Sequence, residues 1–223
     1  MKEFDSLVRT MKILRSKDGC RWDRAQKLKD LKNYLMEEAY ELMDTIGSKH
    51  YKKVEEELGD VFLILVFICQ VYSERNRFNI KDVLKAVDNK MIRRHPHVFS
   101  SSFKKNNALK TKNDIVKFWV KEKAKSKKRK NIYERLPRKA PSLLLAYLLY
   151  KEKRYLGKSL RLEQIVSGME KKIQKLNTSG VNGALIADII MDLSKLASLN
   201  KINLEILLRR KIFLKARSLS YQP

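Results

Sequence analysis

The chain has 223 residues and a mass of 26.3 kDa, and 43% of its residues are apolar, so it can build a sizeable core and is not a disordered polymer. Seven Gly and four Pro are too few to punctuate the turns of a sandwich or barrel, which makes an all-α fold the expectation. The net charge of +25 points first to nucleic acid, but it is lopsided: residues 1–100 hold 20 Lys+Arg against 16 Asp+Glu, and residues 101–223 hold 30 against 9.

Helical periodicity accounts for most of the chain. A first helix is expected over about 3–16, closed by Lys17-Asp18-Gly19. Asp30 then caps a second helix that runs to Ile46, where Gly47-Ser48 stops it. A third helix covers about 51–73. Its segment 61–69 (VFLILVFIC) is apolar on all sides but far short of the roughly 20 residues a bilayer span needs. It belongs to a buried bundle, or to one shared between two subunits, and no membrane is called for. A fourth helix over 81–93 ends at His95-Pro96-His97, because Pro disfavours helix in the residue before it. Two His flanking a Pro at i,i+2 cannot share a helical face, so they form a structural turn rather than a metal site.

Residues 100–112 are expected as loop, and helices follow over 113–127, 141–156, 161–176, 182–199 and 203–217. The boundary falls at a basic linker, 128–140, which separates a helical bundle at 1–127 from a second region at 141–223. The densest basic run, 121–130 (KEKAKSKKRK), has no aromatic residue on which a base could stack. A solvated, anion-attracting face explains it better than nucleic-acid readout, although nonspecific nucleic-acid contact through this half stays open. The charged N-terminal segment has no apolar h-region of a signal peptide, and Cys20 and Cys69 make neither a disulfide framework nor a zinc knuckle. Both features point to a reducing cytoplasm.

Helices two and three carry the chemistry. The inward stripe of helix two is Leu31, Tyr34, Leu35, Leu42 and Ile46, and Glu38 falls on that stripe with Glu41 at its border. Helix three repeats the arrangement: Val54, Leu58, Val61 and Leu65 form the stripe, with Glu57 and Asp60 three apart beside it. Unpaired carboxylates facing a core are costly or take up a proton, so a cation is expected among them. Four carboxylates without His or Cys suit Mg²⁺, or Mn²⁺, rather than zinc, and Mg²⁺ so held commonly completes its shell with water and phosphates. The bland alternative is a solvated acidic face making i,i+4 pairs with Lys, as Glu37, Asp44, Glu55 and Glu56 are expected to do.

The string Glu37-Glu38-Ala39-Tyr40-Glu41, followed after 15 residues by Glu57-Leu58-Gly59-Asp60, resembles the EExxE…ExxD motif of the all-α MazG nucleoside triphosphate pyrophosphohydrolases. Upstream, Gly19-Cys20-Arg21-Trp22-Asp23 is similar to the family's GCPWD, with Arg21 in place of Pro. Downstream, Arg93-Arg94-His95-Pro96-His97-Val98-Phe99 matches RRHPHVF, and Trp119, Lys123 and the stretch from Leu136-Pro137-Arg138 to Pro141-Ser142-Leu143-Leu144 follow in order. The resemblance covers roughly residues 3–157. It implies a MazG-like helical bundle that dimerises and an Mg²⁺-dependent hydrolysis of nucleoside triphosphate to monophosphate and diphosphate, in cleaning or regulating nucleotide pools. It further implies metal ligation by Glu38, Glu41, Glu57 and Asp60, a neighbouring acid at Glu37 that orients water, triphosphate contacts from Lys90 and Arg94, and closure over the nucleotide by Trp119 and Lys123. Read singly, Lys90 and Arg94 are ordinary surface cations, and Trp119 is equally a packing anchor.

Full-length relatives of that family carry two bundles in tandem, and 161–217 resembles a degenerate second copy. The place of EExxE falls on Lys171-Lys172-Ile173-Gln174-Lys175, and that of ExxD on Leu185-Ile186-Ala187-Asp188, keeping one acid of the set. Arg217 and Phe213 stand where the first copy has Arg94 and Lys90. Lysines do not ligate Mg²⁺, so this half is expected to hold no catalytic metal. Two rivals to the enzyme are a noncatalytic basic helical module that binds nucleotide or nucleic acid, and a structural dimer without metal response.

Overall fold

The computed structural model describes residues 2–101, 109, 111–127, 131–155 and 161–219. Among these residues there are eleven α-helices, one 3-10 turn at Tyr133–Arg135 and no strand, so the all-α expectation holds. The chain divides into two compact units, Met1–Asn106 and Asn107–Pro223. That division falls ahead of the basic linker expected at 128–140, and it groups the helix after residue 111 with the second unit.

The first unit comprises α1 (Lys2–Leu14), α2 (Arg21–Ala25), α3 (Leu28–Thr45), α4 (Tyr51–Glu74), α5 (Ile80–Arg94) and α6 (Pro96–Phe99). Two of these depart from the sequence expectation. Asp30 is not the N-cap of α3 but its third residue, where its Oδ2 accepts the Lys27 backbone N–H at 3.0 Å, and the helix starts three residues earlier. The segment after Gly19 forms the short α2, and Pro96 at the first position of α6 turns the expected His-Pro-His turn into one helical turn, since Pro is pre-organised for a helix start. At α5, Asn79 Oδ1 accepts the N–H groups of Lys81 and Asp82 at 2.8 and 3.3 Å, and Asp82 reaches back to Asn79 N–H at 2.9 Å. Gly19 is required by close approach: a Cβ there would stand 2.2 Å from the Leu14 carbonyl oxygen.

An antiparallel hairpin of α3 and α4 is the spine of this unit, turned at Gly47, whose φ of +86° favours glycine. Its core lies at the end far from the turn, where Leu31 and Met11 meet Val66, Phe67 and Val71, with Phe4, Leu7, Val8 and Leu63 packed around them. Arg15 binds this end together. Its Nε and one terminal nitrogen donate to the two carboxylate oxygens of Glu74 at 2.7 and 2.6 Å, its other terminal nitrogen donates to the Asp23 carbonyl, and its guanidinium lies 5.2 Å from the Phe67 ring centre. Hydrogen bonding from Arg15 holds the Glu74 carboxyl below its ordinary pKa.

The second unit contains α7 (Lys112–Lys127), α8 (Ser142–Tyr155), α9 (Leu162–Ser179), α10 (Gly183–Leu199) and α11 (Leu204–Leu219). Asn182 caps α10 by accepting Ala184 N–H at 2.8 Å, and Gly180, with φ of +78°, turns α9 into it. Helix α10 packs against both α8 and α9 around Ala146, Tyr150, Ile165 and Ala197. Most of the loop expected at 100–112 lies outside the described residues.

Candidate metal centre

In the first unit the core occupies one end of the α3–α4 hairpin and the acids occupy the other. Three residues advance a helix by nearly a full turn, so Glu38 and Glu41 leave α3 on one side, and Glu57 and Asp60 leave the facing α4 in the same way. One carboxylate oxygen from each of Glu38, Glu41 and Glu57 lies within 4.8 Å of the others. Glu57 is the most enclosed, 5% exposed, while its neighbour Leu58 is 43% exposed. An acid is turned in and a leucine is turned out.

That inversion corrects part of the stripe expected from sequence. Leu58 and Leu65 are exposed and Ile46 more so, whereas Glu57, Ile64, Val66, Phe67, Cys69 and Val71 are buried. A helix apolar on every side gives its periodicity no preferred face, so contact with α3 sets the rotation. On α3, Leu31 is fully buried and Tyr34, Leu35 and Leu42 are half-buried, as expected.

The electrostatics follow from the crowding. Burial raises the Glu38 pKa most, and the charges of Asp60, Glu41, Glu57 and Glu37 raise it further in that order. Asp60, half-buried on α4, is therefore the strongest charged influence on Glu38 across the hairpin. Burial likewise pushes Glu57 up, Glu41 adds to it, and Lys53 opposes them. A cation set among these like charges favours their ionised forms. The oxygen-only donor set fits a hard divalent ion such as Mg²⁺ or Mn²⁺ and lacks the nitrogen and sulfur donors zinc prefers.

Glu41 and Glu57 also line a cavity of about 240 Å³ at the hairpin turn, with Asp44, Thr45, Ser48, His50 and Lys53. Sequence reading passed over Lys53. The available signal was its i,i+4 spacing to Glu57, which puts an ammonium and a carboxylate on one face of α4. Glu37 is exposed on α3. Lys90 and Arg94 lie one turn apart at the end of α5, both half-buried. Trp119, 37% exposed, stands on α7 in the second unit, and Lys123 follows on the same helix with its side chain outside the described residues.

In the second unit, Lys172 lies on α9 and points to Asp192 of α10, not to Asp188. Asp188 is exposed, whereas Asp192 is 3% exposed and pairs with both Lys172 and Lys195. Asp192 thus replaces Asp188 as the acid facing the lysines. Among the described residues, the grouping of three or more potential metal ligands is the one in the first unit.

The stretch that carries this hairpin is also where the chain resembles known proteins. Residues 26–99 match the MazG nucleotide pyrophosphohydrolase domain family. A protein of Thermotoga maritima named nucleoside triphosphate pyrophosphohydrolase/pyrophosphatase MazG is 50% identical over 99 residues, 44% of this chain and 39% of that one. A nucleoside triphosphate pyrophosphohydrolase of Escherichia coli K12 is 32% identical over 155 residues, covering 68% and 57% of the two chains. An uncharacterised 26.1 kDa protein of Streptomyces cacaoi is 33% identical over 154 residues, covering 68% and 62%. The chain thus spans between 39% and 62% of the length of these relatives.

Proposed function

Because residues 26–99 form a domain of the MazG nucleotide pyrophosphohydrolase family, we propose that this chain hydrolyses nucleoside triphosphates to the monophosphate and diphosphate. The observation that carries the proposal is the convergence of Glu38, Glu41 and Glu57 within 4.8 Å, beside Asp60 and in the segment matched to the family.

Glu38, Glu41, Glu57 and Asp60 would hold Mg²⁺ or Mn²⁺. The bound cation would supply charge neutralisation for the polyphosphate and lower the pKa of a bound water. The protein's own part is arrangement. Phosphoryl transfer requires little covalent help from side chains, so positioning and charge dominate the rate. Glu37, exposed beside the cluster, orients the attacking water. Lys53, which already acts on Glu57, meets a phosphate oxygen at the cavity by the hairpin turn. Lys90 and Arg94 neutralise the departing diphosphate.

The working unit is a homodimer. Leu58, Phe62 and Leu65 on α4 and Val83, Leu84, Val87 and Met91 on α5 are exposed in the single chain, an apolar surface of the kind a second copy buries. Among the described residues no helix is long and apolar enough to cross a membrane. With Cys20 and Cys69 free, the protein suits a reducing, cytoplasmic setting.

The deciding assay offers a panel of ribo- and deoxyribonucleoside triphosphates with Mg²⁺ and identifies products. Monophosphate plus diphosphate, lost in Asp60→Asn with the helical circular dichroism retained, is the expected outcome. Nucleoside diphosphate plus phosphate, or turnover unchanged in Asp60→Asn, refutes the proposal.

A further inference from the structure

We infer that the Lys172 ammonium occupies, between α9 and α10, the position that a divalent cation occupies between α3 and α4. The inference rests on the cation reading of the first hairpin and assigns the second a built-in, permanent counter-ion.

Register carries it. Glu38 stands seven residues before the last residue of α3, and Lys172 stands seven before the last of α9. Asp60 stands nine residues after the first of α4, and Asp192 nine after the first of α10. In the second hairpin a side-chain contact accompanies the register, since Asp192 accepts from Lys172. One charge reversal at the first member converts two repelling acids into a neutral pair.

The pairing is complete. Asp192 Oδ2 accepts from Lys172 Nζ and Oδ1 accepts from Lys195 Nζ, so both oxygens are engaged and the carboxyl sits below its ordinary pKa despite burial, which alone would raise it. Three residues before Asp192, where the first hairpin has Glu57 before Asp60, α10 carries Ile189, and the neighbouring Asp188 is exposed. A metal would have to displace two ammonium groups and find one ligand. The second unit therefore closes its hairpin without metal and keeps its fold when the first is empty.

Hydrogen exchange of the full chain, read by mass spectrometry with Mn²⁺ and with EDTA, separates the two hairpins. In the unchanged protein, Mn²⁺ slows exchange in α3–α4 and leaves α9–α10 as it was. Lys172→Met, and the shape-preserving Asp192→Asn, each speed exchange of α9–α10 by at least about tenfold, because the buried carboxylate loses one of its two partners or the lysines lose their acid, with α3–α4 unaltered. Slowing of α9–α10 by Mn²⁺ in the unchanged protein overturns the inference, as does unaltered α9–α10 exchange in both Lys172→Met and Asp192→Asn. Failure of Mn²⁺ to slow α3–α4 refutes the cation reading of the first hairpin instead, and the Lys172 pairing is still read by its own variants.

Discussion

Replacing Glu38 by Gln should stabilise the protein in EDTA and destabilise it, relative to the original, in saturating Mn²⁺. The carboxylate oxygens of Glu38 and Glu41 approach within 4.8 Å, where two unit charges repel by about 3.5 kcal/mol at an effective dielectric of about 20. Glu38 is only half-buried, and solvent screening reduces that to about 1 kcal/mol. Glutamine keeps the length of the side chain and removes the charge, so the metal-free first unit gains about that much, a rise of roughly 4–8 °C in the midpoint for a unit of about 100 residues. With Mn²⁺ at about a hundredfold over its Kd the original protein gains about 2.7 kcal/mol, and a variant short of one ligand gains far less. The order of the two melting curves therefore inverts between the two buffers. Calorimetric or fluorescence melts in both buffers read this directly. If Glu38→Gln melts below the original protein in EDTA as well, Glu38 makes a stabilising contact of its own and the picture of a repelling quartet is wrong.

The pH response has a defined sign. Burial and neighbouring acids raise Glu38 and Glu57 above the usual 4.5, so the metal-free native state binds protons more tightly than the unfolded chain. Its stability is greatest below the ordinary glutamate range and falls as pH rises through the raised values. Mn²⁺ affinity moves the opposite way, weakening by roughly a hundredfold one pH unit below both raised values, because two protons must leave; titration calorimetry that finds affinity flat across this range refutes the assignment. Leu31→Ala empties a fully buried position facing Met11 and Phe67, and should cost about 3 kcal/mol in urea unfolding while leaving Mn²⁺ affinity of the folded protein unchanged.

The helices themselves were legible because their signals are local. The Gly47 stop, the Pro96 break and the apolar periodicity of 182–199 all survive in the structure within a few residues. The acidic pairs were legible because acids on an apolar stripe contradict packing, and the structure brings three of the four within reach of one ion. What could not be read was rotation and register. In α4 an all-round apolar run left the inward face open, so Leu58 was expected inside and stands outside. In α10, Asp188 and Asp192 stand one turn apart and look alike in the sequence, and only the pairing with Lys172 shows which of them is enclosed. Capping roles failed in the same way: Asp30 at the cap and Asp30 at the third position look alike until the backbone N–H it accepts is known.

Arg15 anchors α4 at Glu74, whereas Glu57 lies seventeen residues earlier on the same helix, roughly 25 Å away along its axis. A rod pinned at one tip against a tight hydrophobic base pivots most at the other. Small adjustments demanded by an arriving ligand are then absorbed as tilt at the acidic tip, where the hairpin turn and its cavity leave room, without disturbing the packing around Met11 and Phe67. The first unit is in this sense a pair of tongs, with a fixed rivet and opposed jaws that carry charge.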